Sequence, residues 1–90
     1  MAKILITPEE VRGVAAQFKS AGEESHAMVQ KLAGTVNTMQ QNWAGMTSQK
    51  FYADYEHWQQ SMNQFVVVLN EINQQLMVIA ERFERADSPT

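Results

Sequence analysis

The stretch Gln40-Gln41-Asn42-Trp43-Ala44-Gly45-Met46-Thr47-Ser48 lies in the middle of this 90-residue chain and interrupts an otherwise continuous helical pattern. Gly45 can adopt a positive φ without a steric penalty, and Asn42 tolerates the same region. Thr47 or Ser48 can cap a helix that follows. The stretch therefore predicts a bend between two helices, at about residues 41–46.

Trp43 is an unusual residue for so polar a bend, because loops generally run over the protein surface. One interpretation makes its indole an apolar plug that folds back onto the end of the helix pair. The other makes it part of a recognition surface. The residues around Trp43 leave both interpretations open.

Thr7-Pro8-Glu9-Glu10 predicts the start of the first helix, at about residue 8. Thr7 supplies an N-cap, Pro8 suits the first helical position, and Glu10 can reach back in a capping box. Apolar and small residues then recur in steps of three and four, as expected for one face of a helix that ends near residue 40. These positions are Val11, Val14 or Ala15, Phe18, Ala21 or Gly22, Ser25, Met28 or Val29, Leu32, Val36 and Met39.

The middle of this stripe is unusually small, with Ala21, Gly22 and Ser25 in succession. A Gly inside a helix costs up to about 1 kcal/mol relative to Ala, so a packing reason is expected. We therefore expect another helix to cross closely at Gly22.

A second helix is predicted over about residues 47–86, with an apolar seam in alternating steps of four and three. The seam consists of Phe51, Tyr55, Trp58, Met62, Phe65, Leu69, Ile72, Leu76, Ile79, Phe83 and Ala86. Aromatic residues fill the half near the bend and aliphatic residues fill the far half. A weaker strip widens the apolar face and predicts contact with more than one neighbour. That strip consists of Ala53, Val66, Val67, Val78 and Ala80.

These elements predict a single all-α domain over residues 1–90, an antiparallel helix-turn-helix hairpin with a disordered tail at residues 87–90. At a rise of about 1.5 Å per residue, the helices are roughly 50 and 60 Å long. One seam between two helices buries too little apolar surface to offset the ordering of so long a chain. We therefore expect the hairpin to dimerise into a four-helix bundle, with the small patch around Gly22 at the crossing.

Composition excludes several classes of partner. The net charge of −3 disfavours nucleic acid and anionic membrane surfaces. The longest apolar runs, such as residues 65–69, are far shorter than the roughly 20 residues that span a bilayer, so no stable membrane insertion is expected. Residues 1–6 meet Thr7-Pro8 too soon to form the apolar core of a secretory signal. Any export is therefore expected to be leaderless.

Residues for catalysis are also not apparent in the sequence. The chain has no Cys, and His26 and His57 lie on different predicted helices without a second His or a carboxylate cluster at ligand spacing. The four glycines are too far apart to form a phosphate-binding loop. We expect no catalytic residue, no metal, no cofactor and no enzymatic activity.

The pattern Trp43-x-Gly45 between two long helices, in a chain of about this length, resembles the WXG100 family of early-secreted-antigen-like proteins. The resemblance covers essentially the whole chain. It implies a substrate of a type VII (ESX-type) secretion system of Gram-positive bacteria, exported as a folded helical dimer. The dimer would be a homodimer or a heterodimer with a related WXG100-type chain, and a cytoplasmic pool would precede its export.

The family's C-terminal export motif, Tyr-x-x-x-Asp/Glu, matches Phe83-Glu84-Arg85-Ala86-Asp87, with Phe83 in place of Tyr. The resemblance implies that this motif and the bend with Trp43 and Gly45 of the other subunit form a composite surface read by the secretion ATPase. An antiparallel dimer places each bend beside the chain end of its partner. The mechanism is then binding.

Two other functions stay open. The first is a non-catalytic chaperone or adaptor that pairs with a larger secreted effector carrying a similar hairpin. An apolar strip on the second helix that stays exposed in the homodimer would favour this function. The second, membrane perturbation by an amphipathic hairpin, has less support because the polar faces are not enriched in basic residues.

Overall fold

A computed structural model describes the backbone of residues 6–87 and the side chains of residues 6–86. Helix α1 spans Pro8–Asn42 and helix α2 spans Met46–Asp87, so the bend between them is only residues 43–45. The two helices pack against each other in an antiparallel hairpin with extents of 68 × 22 × 17 Å. The predicted hairpin is confirmed. Residues 88–90, in the predicted tail, lie outside the described part of the chain.

The start of α1 follows the predicted capping pattern. The hydroxyl oxygen of Thr7 accepts a hydrogen bond from the Glu10 backbone N–H at 3.1 Å and donates one to the Glu10 carboxylate at the same distance. The Thr7 carbonyl accepts from the Val11 N–H at 3.0 Å. An N-cap of this type stabilises a helix by about 1 kcal/mol.

The start of α2 differs from the expectation that Thr47 or Ser48 caps it. The first acceptor is the Gly45 carbonyl, which receives the Gln49 N–H at 3.1 Å and the Ser48 hydroxyl at 2.7 Å. Because the helix begins at Met46, Ser48 already lies inside its first turn, where its side chain is buried.

At three places on α1 the apolar pattern left two adjacent residues as alternatives for the core, and the structure shows which of them is buried. Ala15, Gly22 and Val29 are buried, whereas the adjacent Val14 and Met28 are exposed. Val11 is also buried, and other predicted positions are partly buried between the helices. These partly buried residues are Phe18, Ala21, Ser25, Leu32 and Val36.

The predicted seam of α2 is divided between two faces. Tyr55, Met62, Leu69, Ile72, Leu76 and Phe83 are buried or partly buried. Phe51, Trp58, Phe65 and Ile79 are 37–48% exposed. The residues that complete the inner packing come one position later, and they include Val66 and Ala80 from the strip predicted to be secondary. Steps of four and three fit both sets of positions, so spacing alone could not separate them.

The close approach of the helices explains why the positions with smaller side chains face the contact between the helices. A Cβ added at Gly22 would lie 3.0 Å from Asn70 Oδ1 and 3.6 Å from Leu69 Cβ. Helices this close leave no room for large rings, so Val66 and Ala80 pack inward while Phe65 stays outside. The helix that crosses at Gly22 is therefore α2 of the same chain, and the predicted crossing by a second copy is not needed to explain this small patch.

A polar contact accompanies this packing. Asn73 Nδ2 donates a hydrogen bond of 2.7 Å to the backbone carbonyl of Ala15, across the interhelical contact. A polar side chain at a core position specifies the register of packed helices, because any slip leaves it unpaired. Asn73 therefore holds the two helices in one alignment.

The hairpin has two broad faces of different character. The polar face carries Arg12, which forms an ion pair with Glu84, and grooves lined by polar residues such as His26, Asn63 and Asn70. Heptad spacing places a second set of side chains, exposed or partly buried, on the opposite side of both helices. We call this set the apolar face; it consists of Val14, Ala21, Met28, Phe51, Trp58, Phe65, Ile72 and Ile79. Neither helix, within residues 6–87, has an apolar stretch long enough to cross a membrane.

Candidate recognition surfaces

The side chain of Trp43 packs onto the first turns of α2. Its ring centroid lies 5.6 Å from that of Phe51 and 5.8 Å from that of Tyr52, the latter in an edge-on arrangement. The Tyr52 hydroxyl reaches the Trp43 carbonyl at 3.5 Å. Trp43 is partly buried by these contacts, so its indole closes the end of the hairpin and still presents some of its surface to solvent.

The aromatic contacts continue from the bend onto the apolar face. Phe51 stacks on Tyr55 at 6.4 Å, and Tyr55 contacts Trp58 at 5.6 Å. A groove lined by Leu32, Val36, Phe51, Tyr55 and Trp58, with Asp54 at its border, lies beside these rings. The bend and the apolar face are therefore one continuous aromatic surface.

Gly45 determines the direction of the chain at the bend. Its φ is +130°, a conformation that L side chains rarely adopt, and within residues 6–87 no other residue has a positive φ. Met46, next in the chain, is 88% exposed. A side chain at position 45 would strain the backbone even though there is space for a Cβ.

The C-terminal segment continues α2 to its end. Phe83 is partly buried, and Asp87 is the last helical residue, with a side chain outside the described part of the chain. Glu84 forms an ion pair with Arg12 of α1, and Arg85 forms one with Glu81. The hydrogen bond from Arg12 holds the pKa of the Glu84 carboxyl below its usual range, and the same contact raises the pKa of Arg12.

The two predicted parts of the export signal lie far apart within one chain. Trp43 and Gly45 form one end of the molecule, while Glu84 is beside Arg12 near the start of α1 at the other end. The hairpin is 68 Å long. A single chain therefore does not bring Trp43 together with Phe83.

The histidines occupy exposed positions on separate helices. His26 contacts Gln30 at 3.0 Å within α1, and His57 lies on the exposed surface of α2. Within residues 6–87, no group of three or more His, Asp or Glu side chains is arranged to hold a metal ion. The side chains that could contribute to recognition are therefore the aromatic residues at the bend, the apolar face and the C-terminal segment.

Residues 3–88 match the WXG100 family, described as proteins of 100 residues with WXG. The chain belongs to the WXG100 family. Among its relatives is the ESAT-6-like protein SAG1039 of Streptococcus agalactiae, which is 30% identical over 98% of this chain and 92% of that protein. Another is the type VII secretion system extracellular protein A of Staphylococcus aureus, 24% identical over 97% of this chain and 90% of that protein.

A solved structure of a WXG100-like hairpin is similar over nearly its whole length. The secreted protein EsxB of Bacillus anthracis superposes with a TM-score of 0.85 and is 36% identical. The match covers 98% of this chain and 100% of that one. At this identity and coverage, the sequence similarity and the shared hairpin support each other.

Sequence reasoning missed two residues that organise this WXG100 hairpin. Asn73 stands in a polar run, Asn73-Gln74-Gln75, which is typical of a solvated helix surface, although it lies seven residues after the buried Val66. Arg12 is a charged residue among the polar positions of α1, and its pairing with Glu84 depends on the register of the helices. The heptad relation to Val66 could have identified Asn73, whereas no local signal identifies the partner of Arg12.

Proposed function

We propose that this WXG100 protein is a substrate of a type VII secretion system and leaves the cell as a folded dimer. Its relatives include an extracellular protein of a type VII secretion system and a secreted EsxB, which supports this function. A cytoplasmic pool of the dimer precedes its export. The role is recognition and transport, without catalysis.

The observation that carries the proposal is the position of the two motifs relative to the apolar face. Phe51, Trp58 and Phe65 keep 37–48% of their surface exposed on a single hairpin, which is costly unless another surface covers them. Covering this face with a second, antiparallel hairpin places the bend of each copy beside the chain end of the other. The two parts of the export signal then meet although one chain separates them.

The recognition surface in this proposal is composite. Trp43 and Gly45 of one copy lie beside Phe83 and Asp87 of the other, and the secretion ATPase binds both. Phe83 lacks the hydroxyl of the family's Tyr and is partly buried, so Trp43 and Asp87 contribute most of the contact. Such a surface exists only in the folded dimer, which ensures that unpaired chains are not exported.

The direct test is the distribution of untagged protein between culture medium and cell lysate, with and without the secretion ATPase. We expect the wild type in the medium only when the ATPase is present. Asp87→Ala and Trp43→Ala should stay in the lysate while sedimenting as folded dimers. Export of these dimers at the wild-type level would contradict the composite signal, and ATPase-independent export would contradict the function itself.

A second function, pairing with a larger secreted effector, has one observation in its favour. Val67 is about half exposed on the polar face, where it borders the groove with His26 and Asn63 and where a homodimer through the apolar face leaves it uncovered. A related hairpin on an effector could cover it. If this is the role, Val67→Lys should block export of the effector and leave the homodimer intact.

A further inference from the structure

A strip of exposed residues with a charge at each end runs along α2 at the edge of the apolar face. It consists of Asp54, Ser61, Val68, Gln75 and Arg82, which are spaced seven residues apart and are all exposed. The strip has an acidic residue at one end, a basic residue at the other, and Val68 at its centre. We call it the edge strip. Its order makes it complementary to a copy of itself running in the opposite direction.

The apolar residues beside the edge strip have the same complementarity. Phe65 and Trp58 lie 3 and 10 residues before Val68, and Ile72 and Ile79 lie 4 and 11 residues after it. When two copies of α2 run antiparallel with Val68 at the centre, Trp58 therefore packs beside Ile79 and Phe65 beside Ile72 of the other copy, each offset by one residue. A parallel arrangement would instead oppose identical bulky rings and identical charges.

We propose that α2 pairs with α2 of a second copy of this chain, antiparallel and centred on Val68, with Asp54 of each copy bound to Arg82 of the other. This inference rests on the dimer in the proposed function and specifies its register. Asp54 and Arg82 are 28 positions apart, or about 42 Å along a helix. Because the separation is the same in both copies, the two ion pairs form together, one at each end of the contact.

The surroundings of the two charges fit this pairing. Asp54 borders the groove formed by Leu32, Val36 and Trp58 near the bend. The aliphatic stem of an arginine from a second copy can lie in this apolar groove while its guanidinium reaches the carboxylate. Among the described side chains, residues 6–86, Asp54 pairs only with the exposed Lys50, at 3.5 Å, a contact that contributes little and does not compete with a bidentate arginine.

The pairing also explains how the composite surface would be aligned. Asp54 lies close to the bend, and Arg82 immediately precedes the segment from Phe83 to Asp87. An ion pair between them fixes the chain end of one copy beside the bend of the other. Asp54 and Arg82 are therefore positioning residues for the export signal, without themselves needing to contact the ATPase.

Charge reversal with purified full-length protein tests the register. Asp54→Arg and Arg82→Asp each place like charges at both ends of the contact, and we expect each homodimer to dissociate at a concentration ten- to a hundredfold higher than the wild type. An equimolar mixture of the two variants should form a heterodimer of nearly wild-type affinity, because both pairs then have opposite charges. Glu56→Arg on the polar face is the matched control and should dimerise normally.

A cysteine variant tests the same register independently of charge. The natural chain has no Cys, so Val68→Cys introduces a single thiol at the proposed two-fold axis. It should form a disulfide-linked dimer under mild oxidation, while Val67→Cys, directed away from the contact, should not.

The outcomes separate this inference from the proposed function. If the wild type is monomeric at all accessible concentrations, both the dimer and its register are wrong. If the wild type is a dimer but the reversed variants dimerise equally well, or their mixture does not recover, only the register is wrong. Circular dichroism of each variant establishes that a change in affinity does not come from unfolding.

Discussion

The two broad faces of this hairpin are built from the same two helices and differ in what they leave exposed. On the polar face, Arg12 and Glu84 form an ion pair within the hairpin, and Asn and His side chains line grooves. The apolar face leaves Phe51, Trp58 and Phe65 in solvent. The difference shows that one helix pair can complete its own core and still carry a second, partly exposed apolar surface.

The largest effect is expected on the apolar face. Phe65→Glu should weaken dimerisation at least about a hundredfold, because each dimer loses two buried rings and gains two charges at a dry interface. Asn63→Glu, two residues away on the polar face, is the matched control and should leave the dimer unchanged. Sedimentation equilibrium measures both dissociation constants, and equal weakening by the two variants would contradict the assignment of the faces.

The second-largest effect is expected from a substitution at the contact between α1 and α2. Asn73→Ala removes the hydrogen bond to the Ala15 carbonyl and should lower the free energy of unfolding by about 1–2 kcal/mol. Gln74→Ala, at an exposed neighbouring position, should change it by less than about 0.5 kcal/mol. Denaturant titrations at one fixed protein concentration give the comparison, since dimerisation couples to stability. Equal effects would mean that Asn73 does not hold the register.

A smaller difference in stability is expected between alanine substitutions at two glycines of α1. A Cβ at Gly34 would meet no atom within 4 Å, so Gly34→Ala should stabilise the protein by about 1 kcal/mol through helix propensity. A Cβ at Gly22 would press on Asn70 at 3.0 Å, which offsets that gain. Thermal unfolding should therefore show a higher midpoint for Gly34→Ala than for Gly22→Ala. The reverse order would mean that the helices are less tightly packed at Gly22.

The smallest effect concerns the ion pair at the open end. Because the pKa of Glu84 is lowered in the folded protein, the pair contributes stability at pH values above the usual glutamate range, and this contribution disappears as the pH falls through the lowered pKa. Glu84→Gln should therefore be slightly less stable than the wild type at neutral pH and equally stable in strong acid. Glu71→Gln, away from Arg12, serves as the control. A difference that persists in acid would show that the charge is not its source.

Much of the fold could be predicted from sequence because its signals are local. The cap at Thr7, the bend at Gly45 and the long apolar periodicities need only neighbouring residues to be interpreted. The division of the α2 seam could not be predicted in this way. Phe65 and Val66 both satisfy the spacing, and the choice between them depends on how closely α1 approaches at Gly22.

The candidate recognition surfaces also combine features that are local in sequence with features that depend on the whole fold. Trp43 and Gly45 are identified by a short motif at one place in the chain, and the structure places Trp43 against Phe51 and Tyr52. The distance between this bend and Phe83 depends on the whole length of the hairpin. Whether two motifs meet is therefore a question of assembly, which no single stretch of sequence encodes.

Pairing through the apolar face is proposed to assemble the export signal, and the export of Phe65→Glu and Asn63→Glu shows whether it does. The secreted fractions of Phe65→Glu and Asn63→Glu are measured in the source bacterium with its type VII system active. Both variants keep Trp43, Gly45 and Asp87 intact. We predict that Phe65→Glu remains in the lysate as a folded monomer while Asn63→Glu reaches the medium like the wild type. Export of the Phe65→Glu monomer at the wild-type level would show that the export signal does not depend on pairing through the apolar face.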